Sequence, residues 1–122
     1  MAGTLRCKRV YLPPEPEDGK RILADRLWPR GVSRERAALH QWRRDCAPSD
    51  AVRKSYCHDA AKFPDFRAAY RAELDSGADA AALAKDCVAW LMDGNVTLIF
   101  GAKDAEHSNA AVLKEWLEEK LR

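Results

Sequence analysis

Two polar turns hold the residue types that could do chemistry. The first, Asp25-Arg26-Leu27-Trp28-Pro29-Arg30-Gly31, follows the apolar run Ile22-Leu23-Ala24. The second, Gly101-Ala102-Lys103-Asp104-Ala105-Glu106-His107-Ser108-Asn109, follows Val96-Thr97-Leu98-Ile99-Phe100. Arg26 and Arg30 bring planar, permanently charged forks that suit carboxylate or phosphate, and Lys103 adds a compact charge. His107 has an ordinary pKa near ~6.5, which suits proton transfer at neutral pH. Three residues before it, Asp104 can cap the last helix or orient the imidazole. Trp28 can pack the turn on the core or wall a pocket. Asp25 is placed to hold a neighbouring arginine.

If the strands leading into these turns run parallel, both turns emerge at one edge of the sheet. Ligands of open α/β sheets collect outside the carboxyl ends of the strands. Arg26, Arg30, Trp28, Lys103 and Asn109 would then bind one small anionic ligand, a nucleotide or a phosphorylated metabolite. His107 would donate or accept a proton, with Asp104 as its orienting partner. The glycines fit neither G-x-G-x-x-G nor a P-loop, so no nucleotide fingerprint is present and no cofactor is expected. Whether the ligand is transformed is not decided by these residues.

The elements that must position the turns can be read from periodicity. A first strand of about five residues lies within Leu5–Tyr11 and ends at Pro13-Pro14. The acidic, proline-rich loop to Gly19 either turns back as a hairpin or reaches a parallel neighbour. A second strand covers Arg21–Leu27, and Ser33 caps a short helix over Arg34–Ala38. Leu39–Asp45 is a short strand or an extended segment. Ser49 or Asp50 caps a helix ending near Tyr56. Phe63, Phe66, Tyr70 and Leu74 form one helical stripe that Gly77 closes, and Ala80–Met92 forms another through Leu83, Cys87, Trp90 and Leu91. Val96–Phe100, β-branched and apolar on both faces, is expected at the centre of the sheet. Ala110–Leu121 closes the chain, burying Ala110, Leu113, Leu117 and Leu121. The expectation is a single three-layer α/β domain over residues 1–122, with a mainly parallel sheet of about four strands.

Composition excludes several classes. Lys and Arg number 21 against 19 acids, a formal net charge of +2, so global charge does not argue for a nucleic-acid binder. The run Arg34, Arg36, Arg43, Arg44, Arg53 and Lys54, with Trp42 inside it, supports the alternative: a non-enzymatic module that binds nucleic acid or a protein. No run of 18 apolar residues predicts a membrane span and no apolar leader follows Met1, so a cytoplasmic location is expected. Cys7, Cys46, Cys57 and Cys87 form no C-x-x-C pair and fit free thiols. Cys57, His58 and His40 lack a recognised ligand spacing, so no metal site is expected. No serine has the G-x-S-x-G frame of a nucleophile elbow.

Lys8-Arg9-Val10-Tyr11, Asp18-Gly19, the Asp25–Gly31 turn, Ala47-Pro48-Ser49, Arg53-Lys54, His58-Asp59, Phe66-Arg67, Glu73-Leu74 and Ala102–Asn109 occur in the order found in the YeaO-like bacterial proteins. The chain resembles that family, a domain-of-unknown-function family, over nearly its whole length. The resemblance implies a small cytoplasmic α/β protein of bacterial type and no particular activity. It selects Asp25, Arg26, Pro29, Asp104 and His107 as positions matching the family pattern. In more distant relatives the last turn carries cysteines and a histidine-arginine pair. Gly101, Ser108 and Asn109 stand there instead, which implies a polar, anion-facing site rather than a thiol or metal mechanism.

Overall fold

Val96–Phe100 (β4) is buried at all five positions because sheet neighbours flank it on both edges and packed layers cover both faces. In the computed structural model, which describes residues 2–57 and 59–122, it lies between Leu5–Arg9 (β1) and Lys20–Leu23 (β2). Gln41–Trp42 (β3) completes the order β1-β4-β2-β3, and every pairing is parallel. The loop after β1 therefore leads to a parallel strand two places away, with β4 inserted between.

Alternation divides the apolar residues between two faces. Val96, Leu98 and Phe100 join Ile22 in the larger core, covered by helices Phe63–Ser76 (α3), Ala78–Asp93 (α4) and Asn109–Lys120 (α5). Tyr70 is fully buried there and donates its hydroxyl proton to the Cys46 carbonyl at 2.5 Å. Ile99 faces the other way with Val10, Leu23, Val32 and Ala37, under the short helix Arg34–Ala37 (α1). That second face also holds a buried polar group. Asp18 accepts from Arg21 Nη1 at 2.6 Å and from Lys8 Nζ at 3.1 Å, while Thr97 donates to the Asp18 carbonyl.

Several boundaries differ from the sequence reading for local reasons. β2 ends at Leu23 rather than Leu27. The Ala24 N–H still donates to Ile99 O at 2.9 Å, but Asp25 then takes the Gly101 N–H with its side chain, and the backbone leaves the ladder. β3 is cut to two residues because Arg43 N–H meets Leu23 O, the end of its partner strand. Ser33 caps α1, and Ser49 caps Asp50–Tyr56 (α2), its Oγ accepting the Val52 N–H. Asp104 does not cap the last helix. Ser108 does so, accepting the Ala111 N–H at 3.1 Å, and Asp104 Oδ1 accepts the Glu106 and His107 N–H groups within the preceding turn. α5 also buries Val112 and Trp116, while Leu121 and, on α4, Trp90 are only half-buried.

Candidate functional site

Parallel β2 and β4 deliver both polar turns to the same edge of the sheet. Between them lies a cleft of about 610 Å³, within the ~300–1,000 Å³ usual for ligand pockets. Arg26, Trp28, Lys103, Asp104, His107 and Asn109 all line it. Arg30 does not: it is exposed at the apex of its turn, and its carbonyl accepts from the Tyr11 hydroxyl at 3.0 Å. The reason lies in the turn itself. Pro29 is buried, the Trp28 indole donates to Val32 O at 2.7 Å, and Gly31 takes φ +77°, so the chain reverses with Arg30 outermost.

Asp25 binds the two turns together. Its Oδ2 accepts the Gly101 N–H at 2.8 Å and its Oδ1 accepts from the Asn109 amide at 3.1 Å. Asn109 also donates to Ala24 O at 3.0 Å, so its amide acts as a brace under the cleft floor. Arg26 reaches sideways, donating from Nε to Pro48 O at 2.9 Å, which ties the start of α2 to the sheet edge. Its Nη1 makes no hydrogen bond within the described residues.

His107 Nδ1 lies 2.7 Å from Asp104 Oδ2. With the carboxylate accepting at Nδ1, Nε2 carries the lone pair of the neutral ring or the second N–H of the cation. The hydrogen bond from His107 holds the Asp104 carboxyl below the usual aspartate value. The ring stands edge-on to Phe63, centroids 5.0 Å apart, and the His107 carbonyl accepts from the Tyr56 hydroxyl at 2.8 Å. Burial, helped by the negative charges of Asp104 and Asp59, pushes the Tyr56 phenol upward, so it acts as a donor rather than a base.

Sequence reasoning missed how α2 supplies the third wall. Arg53 and Tyr56 line the cleft from this helix, with Phe66 behind them on α3 and Tyr11 opposite. Their spacing is the one available signal: three residues apart, they share a helix face. Among the described residues Arg53 pairs only with exposed Asp50 at 3.2 Å, and Lys103 forms no ion pair.

No cysteine lines the cleft. Burial raises Cys7 and Cys46 to about 11 and Cys87 to about 12, so these thiols stay protonated at neutral pH. Ser108 is committed as a cap, also donating to Ala105 O at 2.9 Å. Among the described residues no three His, Cys, Asp or Glu side chains are grouped as a metal would require, and His58 lies outside the described residues. No helix of the described residues is long and apolar enough to cross a membrane.

A parallel α/β domain with a cationic, aromatic-walled cleft at the carboxyl edge of its sheet is thus the class that fold and site define. The chain belongs to the DUF488-N3i family, described as the inactive DUF488-N3 subclade, which it matches over residues 4–122. It is 38% identical to the uncharacterized protein YeaO of Escherichia coli K12 over 117 residues, covering 93% of this chain and 96% of that one. It is 35% identical to an uncharacterized protein of Mycobacterium tuberculosis over 115 residues, covering 93% of this chain and 92% of that one. No solved structure matches the chain.

Proposed function

We propose that the cleft binds a small anionic ligand with a planar apolar part, a nucleotide or a phosphorylated metabolite, and that it does so in the cytoplasm. The observation that carries this reading is the convergence of Arg26, Arg53 and Lys103, from three separate elements, on one aromatic-walled cavity. Each cation has a donor to offer, and Trp28, Tyr56 and Phe66 supply apolar surface for a ring. The Asp104–His107 pair adds a further donor or proton acceptor at the same rim.

Binding is favoured over covalent catalysis because the hydroxyls of Ser108 and Tyr56 are engaged with backbone groups and no thiol borders the cavity. The family description as inactive points the same way. The free cysteines among the described residues fit a reducing compartment.

Thermal unfolding with inorganic phosphate, then with nucleoside monophosphates and sugar phosphates, tests the reading. A ligand at 100 times its Kd stabilises by about 2.7 kcal/mol. Arg53→Ala combined with Lys103→Ala should abolish the shift while leaving the unliganded Tm nearly unchanged, since both side chains are exposed. No shift with any member of the panel would overturn the reading.

A further inference from the structure

Trp28 lines two cavities, not one. A second hollow of about 220 Å³ is bounded by Trp28, Arg34, Leu39, His40, Gln41 and Trp42. This is below the ~300–1,000 Å³ of pockets that enclose a whole drug-sized ligand, and it suits one planar group. Its walls combine two tryptophans with Arg34, His40 and Gln41. The Trp28 and Trp42 rings meet edge to face with centroids 5.4 Å apart. Arg34 lies over Trp28 at 5.6 Å and Arg44 over Trp42 at 5.0 Å.

Most of the arginines around this hollow are not spent on acids. Arg43 is paired with Asp86, but Arg30, Arg34, Arg36 and Arg44 form no ion pair with a described carboxylate. All four are exposed. Tryptophan rings and the guanidinium planes stacked on them are both platforms for the bases of single-stranded nucleic acids, while phosphates meet unpaired arginines. The Trp28 wall common to both hollows sets the direction. A chain with one nucleotide in the main cleft needs only to pass Trp28 to place its next base in the second hollow.

We infer that the ligand is a single-stranded oligonucleotide, with the 220 Å³ hollow serving as a second base subsite beside the cleft. The inference rests on the anion-binding reading of the cleft and extends it. Exposed Glu35 and Asp45 dilute the local field, so about three phosphate contacts are expected, a slope of about −2 in log affinity against log salt. RNA and DNA share the stacking and phosphate chemistry, and the experiment separates them.

The test compares uridine monophosphate, thymidine monophosphate, a ten-nucleotide oligouridylate and the matching oligothymidylate, by tryptophan fluorescence on the full chain. Wild type should bind at least one oligomer about tenfold or more tightly than its monomer. Arg34→Ala combined with Arg44→Ala, at exposed positions that leave the core intact, should remove that gain and spare the monomer. Arg53→Ala with Lys103→Ala should weaken both. Equal affinity for monomer and oligomer, or a gain that survives loss of Arg34 and Arg44, overturns the second subsite and leaves the cleft reading standing. Oligomer binding indifferent to Arg53 and Lys103, or no binding of any of these probes, overturns the oligonucleotide inference, and the cleft reading is then decided by inorganic phosphate and the sugar phosphates.

Discussion

Removing the Asp25 carboxylate tests whether the two turns form one site by design of the fold. In Asp25→Ala the Gly101 N–H and one bond of the Asn109 amide lose their acceptor. Hydrogen bonds to a charged group contribute about 1.5–3 kcal/mol each, and a stranded donor adds its own desolvation cost. Asp25 is half-buried, and Asn109 keeps its bond to Ala24 O, so the lower end applies to both bonds and about 3 kcal/mol in total is expected. For a domain of this size 1 kcal/mol is about 4 °C in Tm, so a fall of about 12 °C should follow. Asp25→Asn should cost about half as much: its Oδ1 can still accept from Gly101, while its NH2 faces the Asn109 NH2. Combining Asp25→Ala with Asn109→Ala in a double-mutant cycle, read by urea unfolding, should give a coupling of about 1 kcal/mol. A change within about 0.5 kcal/mol for Asp25→Ala, or additive single effects, would refute the strut.

Three further outcomes are expected. Gly19→Ala should destabilise by at least about 2 kcal/mol in denaturant unfolding, because φ is +62° and a Cβ would sit 2.0 Å from Asn95 O. Gly31→Ala, at φ +77° with open space around it, should cost only about 1 kcal/mol. Tyr70→Phe strands the buried Cys46 carbonyl and should cost about 1–2 kcal/mol at neutral pH. Burial alone would raise the Asp18 carboxyl, but bonds from Glu15 N–H, Lys8 and Arg21 outweigh it and hold the group below its ordinary value. A depressed carboxyl contributes stability above its unfolded pKa of ~3.9 and loses it as pH falls through the folded value. Asp18→Asn should therefore be less stable at pH 7 yet show a flatter stability profile below about pH 4, measured by urea unfolding across pH.

The central strand and the shared edge of the two turns were legible because Val96–Phe100 is apolar on both faces, a pattern that only a central parallel strand satisfies. Asp104, Lys103 and His107 follow directly from where that strand ends. Arg30 was misplaced because sequence spacing does not say which way a reversing turn points its apex. Its direction depends on the buried Pro29 and the Trp28–Val32 hydrogen bond. Arg53 and Tyr56 were invisible as site residues for a different reason. Their place depends on α2 being tethered to the sheet edge through Arg26 and Pro48, a contact between residues 22 apart in the chain. Asp104 and Ser108 show the limit of reading caps by type, since both fit the pattern and only the register of α5 separates them.

The position of β4 has a consequence for how the protein is made. Among the described residues β1 and β2 pair with no strand preceding them, and β1 pairs only with residues 96–100. During synthesis the sheet therefore stays unassembled until most of the chain has left the ribosome, and closing such distant contacts is slow. Until then the nascent chain carries unpaired strand edges, which favour association with other chains. Truncation before Val96 should leave a fragment that aggregates rather than a smaller folded domain.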